Sequence, residues 1–291
     1  MEIKKVAVVG AGLMGTGITQ VVAEAGFSVK WVDVSDAQLE KGLGLISRLL
    51  KRKAEKGQCE PSHIEDTMAR IERYNEISSI QDVDLVIEAV PENMDMKKKV
   101  FKQLDELVNP DAILATNTSA LSVSALGSVT RRPDKVIGAH FFYPVPMMGL
   151  LEIIPGLLTS EKTCNTIMGF SRQIDKKPVL CKDFPGFIVN RILVPMMNEA
   201  IYLVMEGIKP EDVDVSMQIG ANHRMGPLTL ADFVGLETLL ASIEGLYEGF
   251  RDSKYRPCPL LVKMVEAGTL GRKTGKGFYE YNEKGEKIPS K

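Results

Sequence analysis

A chain of 291 residues, 44% hydrophobic and 25% charged with a net charge of −2, is long enough for two cores and has no overall positive field to draw nucleic acid or an anionic membrane. No nucleic-acid or membrane partner is therefore expected, and any anionic ligand must be held by a local patch. Met1-Glu2-Ile3-Lys4-Lys5 runs straight into an apolar segment and no apolar stretch reaches bilayer-spanning length, so the expected compartment is the cytoplasm. Cys59, Cys164, Cys181 and Cys258 are far apart, with no histidine at ligand spacing, which speaks against a disulfide framework or a metal site.

The run Val6-Ala7-Val8-Val9 predicts a strand that breaks into Gly10-Ala11-Gly12-Leu13-Met14-Gly15. A small-residue helix from Gly17 to Ala25 follows, then a second strand, Trp31-Val32, ending in Asp33. This is the order of a dinucleotide-binding βαβ unit. Gly10 permits the tight turn, Gly12 lets backbone amides approach a pyrophosphate, and Gly15 lets the helix pack closely on the sheet. The helix N-terminus would hold the pyrophosphate through unpaired N–H groups and its dipole. Asp33 lies 18 residues beyond Gly15, where a carboxylate accepts from ribose hydroxyls and repels a 2′-phosphate. NAD is the expected cofactor.

From Asp36 to Arg73 the chain is polar and basic, with Leu39, Leu43, Ile46, Leu49 and Leu50 at helical spacing and a break at Gly57 and Pro61. Two inserted helices are predicted, their charge serving either as a solvated face or as a seat for an anion. Three apolar runs then read as buried parallel strands: Asp84-Leu85-Val86-Ile87-Glu88-Ala89-Val90, stopped by Pro91, then Ala112-Ile113-Leu114-Ala115-Thr116 and Lys135-Val136-Ile137-Gly138-Ala139. Their carboxyl ends deliver Asn117-Thr118-Ser119 and His140 to the side of an open α/β sheet where ligands bind.

Near Asp183-Phe184-Pro185-Gly186 the pattern turns helical. The expected fold is α/β, a Rossmann-type, mostly parallel sheet with an inserted helical pair over residues 1–184, followed by an all-helical C-terminal domain over 185–291. Ile188, Ile192, Met196 and Met197 form one predicted apolar stripe of the second domain, and Leu228, Leu230, Phe233 and Leu236 another.

Only His63, His140 and His223 are available as neutral-pH bases. His63 reads as a surface residue and His223 as part of an interhelical loop, whereas His140 ends a strand beside the expected cofactor. Alcohol oxidation by hydride transfer needs a group that takes the hydroxyl proton, and histidine suits that task. Twelve residues on, Glu152 sits inside Leu150-Leu151-Glu152-Ile153-Ile154. Either it is buried and paired with His140, fixing the imidazole tautomer, or it faces solvent from an edge strand. Ser119 and Asn190 suit binding of a substrate oxygen, or merely cap or bridge helices, Ser119 that near Leu121.

Together with Pro91-Glu92-Asn93, His140-Phe141-Phe142, Asp183-Phe184-Pro185-Gly186-Phe187-Ile188-Val189-Asn190-Arg191 and Gly271-Arg272-Lys273-Thr274-Gly275-Lys276-Gly277-Phe278-Tyr279, these motifs resemble the 3-hydroxyacyl-CoA dehydrogenase family over essentially the whole chain. With no hydratase domain fused, the resemblance is to its stand-alone bacterial branch, the 3-hydroxybutyryl-CoA dehydrogenases. It implies His140 as general base oriented by Glu152, with Ser119 and Asn190 on the reacting oxygens. The cofactor set it implies is Gly10, Gly12, Leu13, Met14, Gly15, Asp33, Ala89, Glu92, Lys97, Asn117, Ser119, Tyr143 and Lys273. The acyl-CoA substrate would be held by Ser47, Lys51, Arg52 and Lys53 besides Ser119 and Asn190, and the resemblance implies a homodimer joined through the helical domain. Three positions depart from the family pattern: Tyr143 stands where asparagine is usual, Gly149 where lysine is common, and Arg224 where proline is usual. An altered acyl preference is the expectation attached to Tyr143. The alternatives are a sister dehydrogenase of a free hydroxy acid such as L-gulonate, and a non-catalytic NAD-binding protein. The 6-phosphogluconate type is disfavoured, because Pro185 to Asn190 offer no lysine.

Overall fold

The computed structural model describes residues 2–288; Met1 and residues 289–291, with which the expected helical domain ends, lie outside them. The chain divides into two units, Met1–Asp183 and Phe184–Lys291. In the first, a glycine turn and helix α1 (Leu13–Glu24) join strands β1 (Lys5–Val9) and β2 (Ser28–Val32). The inserted pair is α2 (Asp36–Glu55) and α3 (Pro61–Ala69), parted where Gly57 takes a positive φ of 67° and Pro61 opens the second helix. The helical stretch ends sooner than its polar pattern suggests: Ile71–Tyr74 forms strand β3, with Glu72 and Arg73 exposed. Strand β4 (Leu85–Glu88), α4 (Met94–Leu107), β5 (Ile113–Thr116), the short α5 (Val123–Gly127) and β6 (Val136–Phe141) follow. The unit closes with β7 (Leu150–Pro155), α6 (Glu161–Gln173) and β8 (Lys177–Leu180).

These strands make one sheet in the order β3-β2-β1-β4-β5-β6-β7-β8. All neighbours are parallel except β6 and β7, whose antiparallel register sets His140 opposite Glu152 and Phe141 opposite Leu151. Strand β7 lies inside the sheet, with β8 on its outer side, so the edge-strand reading of Glu152 does not apply. The chain order reverses between β1 and β4, which opens a crevice at the carboxyl ends of the strands. Alternate residues of the strands (Val6, Val8, Leu85, Ile87, Ile113, Ala115, Ile137, Ala139, Leu151 and Ile153) form one core cluster with Ile18 and Val22 of α1, Leu39 and Ile46 of α2, and Phe170 of α6.

The second unit holds α7 (Val189–Met205), α8 (Pro210–Gly220), α9 (Pro227–Val234), α10 (Leu236–Phe250) and α11 (Pro259–Glu266). It is helical up to a C-terminal segment in which isolated bridges join Gly271 to Lys276, Lys276 to Glu280 and Tyr281 to Lys287. The buried face of α7 is Val194, Met197, Asn198, Ala200 and Ile201, while Ile188 and Ile192 lie exposed. Of the predicted stripe, Met197 is thus buried and Met196 partly so, while Ile188 and Ile192 fall outside the buried face. Leu228 and Leu236 are buried but belong to different helices, because Gly235 at φ 97° ends α9 and starts α10, and Phe233 is exposed.

Trp31, the single tryptophan, is fully buried and donates from Nε1 to the Gly10 carbonyl at 3.0 Å. Gly42 of α2 lies against its ring, where a Cβ would come within 2.3 Å of Trp31 Cη2. Gly42→Ala is therefore expected to overpack this contact and lower stability by about 1–3 kcal/mol, read by urea titration of Trp31 fluorescence.

Candidate active site

At the crevice, Gly10 adopts φ 111°, and a Cβ there would meet the Ala89 carbonyl at 2.6 Å. Gly15 approaches the same turn so closely that a Cβ would lie 1.9 Å from the Gly10 carbonyl oxygen. Gly12 is the N-cap of α1, exposed, without a side-chain cap and with no acidic residue in the first helical turn. An anion therefore meets open backbone donors and the positive end of the helix dipole with no competing carboxylate. Leu13 is exposed and Met14 partly so. Asp33 follows β2, its Oδ2 accepting from Ala11 N–H at 2.7 Å and its Oδ1 from Ser35 N–H at 2.9 Å. Each oxygen has a second lone pair for a ribose hydroxyl. These residues fit NAD, and the carboxylate disfavours the phosphorylated cofactor.

Beyond β4, buried charge organises the next part of the crevice. Glu88 and Lys97 are both fully buried, paired at 2.7 Å; Thr116 Oγ1 donates to Glu88 at 2.6 Å and Val90 N–H at 2.7 Å. The Lys97 ammonium also donates to the Val90 carbonyl at 3.2 Å and lies 3.5 Å from Glu92 Oε2. Its three protons thus face three protein acceptors and its side chain presents no surface. Lys97 is fully buried and adjoins the crevice through Glu92. In turn, Glu92 Oε1 accepts from Thr118 Oγ1 at 2.6 Å, Ser119 N–H at 2.8 Å, Ser119 Oγ at 3.2 Å and Ala120 N–H at 3.2 Å. Ser119 is therefore held by Glu92 and caps no helix; Ser122 caps α5 by accepting from Ala125 N–H. Asn117 Oδ1 accepts from Phe141 N–H at 2.8 Å and ties the end of β5 to the residue after His140.

His140 and Glu152 meet at 2.8 Å between Nδ1 and Oε2, with Glu152 fully buried and His140 nearly so. With Glu152 ionised the carboxylate only accepts, and Nδ1 then carries the shared proton. The Phe142 ring packs against the imidazole, centroids 4.5 Å apart. Cys181, just past β8, is also buried; burial first, then the Glu152 charge, pushes its thiol up to about 12, which keeps it protonated and unreactive. Tyr143 is more than half exposed at the start of the loop from β6 to β7.

The basic run on α2 divides. Ser47, Lys51 and Arg52 line an open concavity with Arg48, whereas Lys53 pairs with Glu24 of α1 at 2.7 Å. Two residues along a helix is about 200° of rotation, so Lys53 cannot share the face of Lys51. Arg48 was not singled out from the sequence, although one turn before Arg52 is the signal that would have found it. In the second unit, Asn190 is half-buried in the first turn of α7. Lys273 pairs with Glu237 of α10, on a segment docked through Asp232, which accepts from Phe278 and Tyr279 N–H at 3.0 Å each. His223 lies in the loop between α8 and α9, and His63 on α3 is partly buried rather than fully surface. Among the described residues no group of three or more His, Cys, Asp or Glu could hold a metal ion, and no helix is long and apolar enough to cross a membrane.

Sheet order, glycine turn and strand-end acid define an NAD-binding dehydrogenase of the Rossmann type. Family models described as the 3-hydroxyacyl-CoA dehydrogenase NAD-binding domain and C-terminal domain match residues 5–184 and 186–281. The chain is 50% identical over 285 residues to a probable 3-hydroxybutyryl-CoA dehydrogenase of Bacillus subtilis, covering 98% of this chain and 99% of that one. It is 41% identical to the human mitochondrial hydroxyacyl-coenzyme A dehydrogenase, over 96% of this chain and 91% of the other. The crystal structure of (S)-3-hydroxybutyryl-CoA dehydrogenase PaaH1 from Ralstonia eutropha superposes with a TM-score of 0.94 at 46% identity, covering 97% of this chain and all of that one. The chain belongs to the 3-hydroxyacyl-CoA dehydrogenase family.

Lys97→Met, which strands the buried Glu88 carboxylate, is expected to destabilise the first unit by about 3–5 kcal/mol in urea unfolding. The double variant with Glu88→Gln should recover most of that loss.

Proposed function

We propose that the chain catalyses the NAD-dependent oxidation of (S)-3-hydroxyacyl-CoA thioesters to 3-ketoacyl-CoA, and the reverse, with short acyl chains such as 3-hydroxybutyryl-CoA as substrate. The observation that carries the mechanism is the buried His140–Glu152 hydrogen bond at the carboxyl edge of the sheet. With Nδ1–H committed to Glu152, the proton of the substrate hydroxyl goes to Nε2, and the carboxylate stabilises the imidazolium that results. Bound NAD supplies the hydride acceptor for carbon 3. Ser119, fixed by Glu92, and Asn190 bind the reacting oxygens, orienting the alcohol and stabilising charge as it develops. Ser47, Arg48, Lys51 and Arg52 offer three cations and a hydroxyl to the phosphates of the CoA.

A homodimer built on the helical unit fits the exposure of Ile192 on α7 and Val215 and Ile219 on α8. The cytoplasm remains the proposed compartment, where NAD and acyl-CoA thioesters are both found.

The primary test is NADH consumption with acetoacetyl-CoA beside longer 3-ketoacyl-CoAs, with NADPH as control. Rapid, NADH-specific reduction is expected; proven NADH binding without turnover of any thioester would reject the substrate class. His140→Ala should cut kcat by about 10² or more while leaving NADH affinity nearly intact. Tyr143→Asn is expected to change the ratio of kcat/KM between acetoacetyl-CoA and longer thioesters, and an unchanged ratio would remove Tyr143 from chain-length selection.

A further inference from the structure

His140 and Glu152 lie on strands joined by the loop 142–149, and that loop is held by a side chain outside the motifs of the site. Lys176 is 6% exposed. Its ammonium donates to the carbonyls of Val145 at 2.8 Å and Met148 at 2.9 Å, both within the loop. The way it reaches them is built into the end of α6. Asp175 takes a left-handed φ of 54°, its N–H bonded to the Arg172 carbonyl and the Lys176 N–H to that of Ser171. This paired closure turns the chain sharply and sends Lys176 inward. The next residue, Lys177, donates its N–H to the Gly149 carbonyl at 2.7 Å, so the far end of the loop is fixed by the same segment.

A second anchor is apolar. Val145 is buried, and its Cβ lies so near Gly17 of α1 that a Cβ on that glycine would come within 2.8 Å. The loop is thus fastened at Val145 and Met148, while Tyr143 and Met147 stand exposed and Phe142 rests on the His140 ring.

We infer that Lys176 is a positioning residue for the proposed dehydrogenase reaction: its buried ammonium clamps the loop between β6 and β7 and so fixes Phe142 against the ring of His140, the partner of Glu152. The inference rests on the reading of His140 as the base. A buried ammonium that meets only carbonyls is a poor source of net stability, since an apolar side chain of similar volume avoids the desolvation cost. Burial indeed lowers the Lys176 pKa, a shift opposed by the charges of Asp175 and Glu24 and reinforced by Lys53. What methionine at this position would lack is the pair of directed hydrogen bonds. Lys176 therefore contributes loop placement more than global stability.

The test is Lys176→Met in the full-length chain, read by peptide-resolved hydrogen exchange, NADH affinity and steady-state kinetics. Exchange of residues 143–149 is expected to accelerate about tenfold or more, with α1 and the sheet unchanged. NADH affinity should hold within about twofold, while kcat with acetoacetyl-CoA falls about tenfold or more, as misplacement near a reacting group predicts. Unchanged loop exchange, a general rise of exchange through residues 5–183, or kcat equal to wild type would each overturn the inference. Should Lys176→Met fail to fold, Lys176→Gln, too short to span both carbonyls, is read by the same criteria. If the wild-type chain turns over no thioester, the substrate reading fails by itself and hydrogen exchange still decides whether Lys176 holds the loop.

Discussion

Charge buried at the carboxyl edge of the sheet has to be paired, and that requirement governs how the site is built. Glu88 and Glu152, two strands of separation apart in the sheet, are both fully buried, and each draws a cation or a proton donor to itself. Glu88 takes Lys97 from α4 and Thr116 from β5, binding the strand ends to the helix that follows. Glu152 takes His140 across the antiparallel pair. The loops inherit their positions from these pairings, because Glu92 gathers residues 118–120 under the influence of Lys97 and Asn117 holds the backbone at Phe141. The His140 imidazole is held from two sides, by the hydrogen bond to Glu152 and by the Phe142 ring.

Much of this was readable from the chain because the informative residues are consecutive. The glycine turn, Asp33 and the strand ends at Asn117 and His140 depend on local conformation and on the period of the strands, both of which a sequence displays directly. Runs of like charge on helices were not readable in the same way. Lys97-Lys98-Lys99 and Lys51-Arg52-Lys53 look uniform, yet successive helical residues point about 100° apart, so one member of each run turns inward to a carboxylate supplied by another element. Which member does so is set by tertiary packing. The same holds for α7, where several apolar residues compete to be the buried face and the fold selects Val194, Met197 and Ile201 over Ile192.

The helical unit repeats the logic with different chemistry. Asp214 of α8 accepts from Leu228 N–H at 2.7 Å and Thr229 N–H at 3.0 Å, satisfying the first donors of α9, and from the Tyr279 hydroxyl at 2.9 Å. Asp232 of α9 takes two backbone N–H groups and the Tyr281 hydroxyl from the same C-terminal segment. Gly277 sits where a Cβ would collide with the Asp232 carboxylate at 2.0 Å. Two carboxylates thus fold a segment with little regular structure onto the helices, and Lys273 is placed by that docking.

The two borders of the sheet carry a further consequence. An open sheet ends in strands whose outer hydrogen-bonding groups invite another chain to continue the ladder. Both outermost strands, β3 and β8, are four residues long. Strand β3 carries exposed Glu72 and Arg73, and β8 carries exposed Lys177 followed by Pro178, which has no N–H to offer. Brevity, charge and the missing donor make both borders poor templates for strand addition. Growth of the sheet is disfavoured at each side, which works against edge-to-edge aggregation and favours association through surfaces made of side chains.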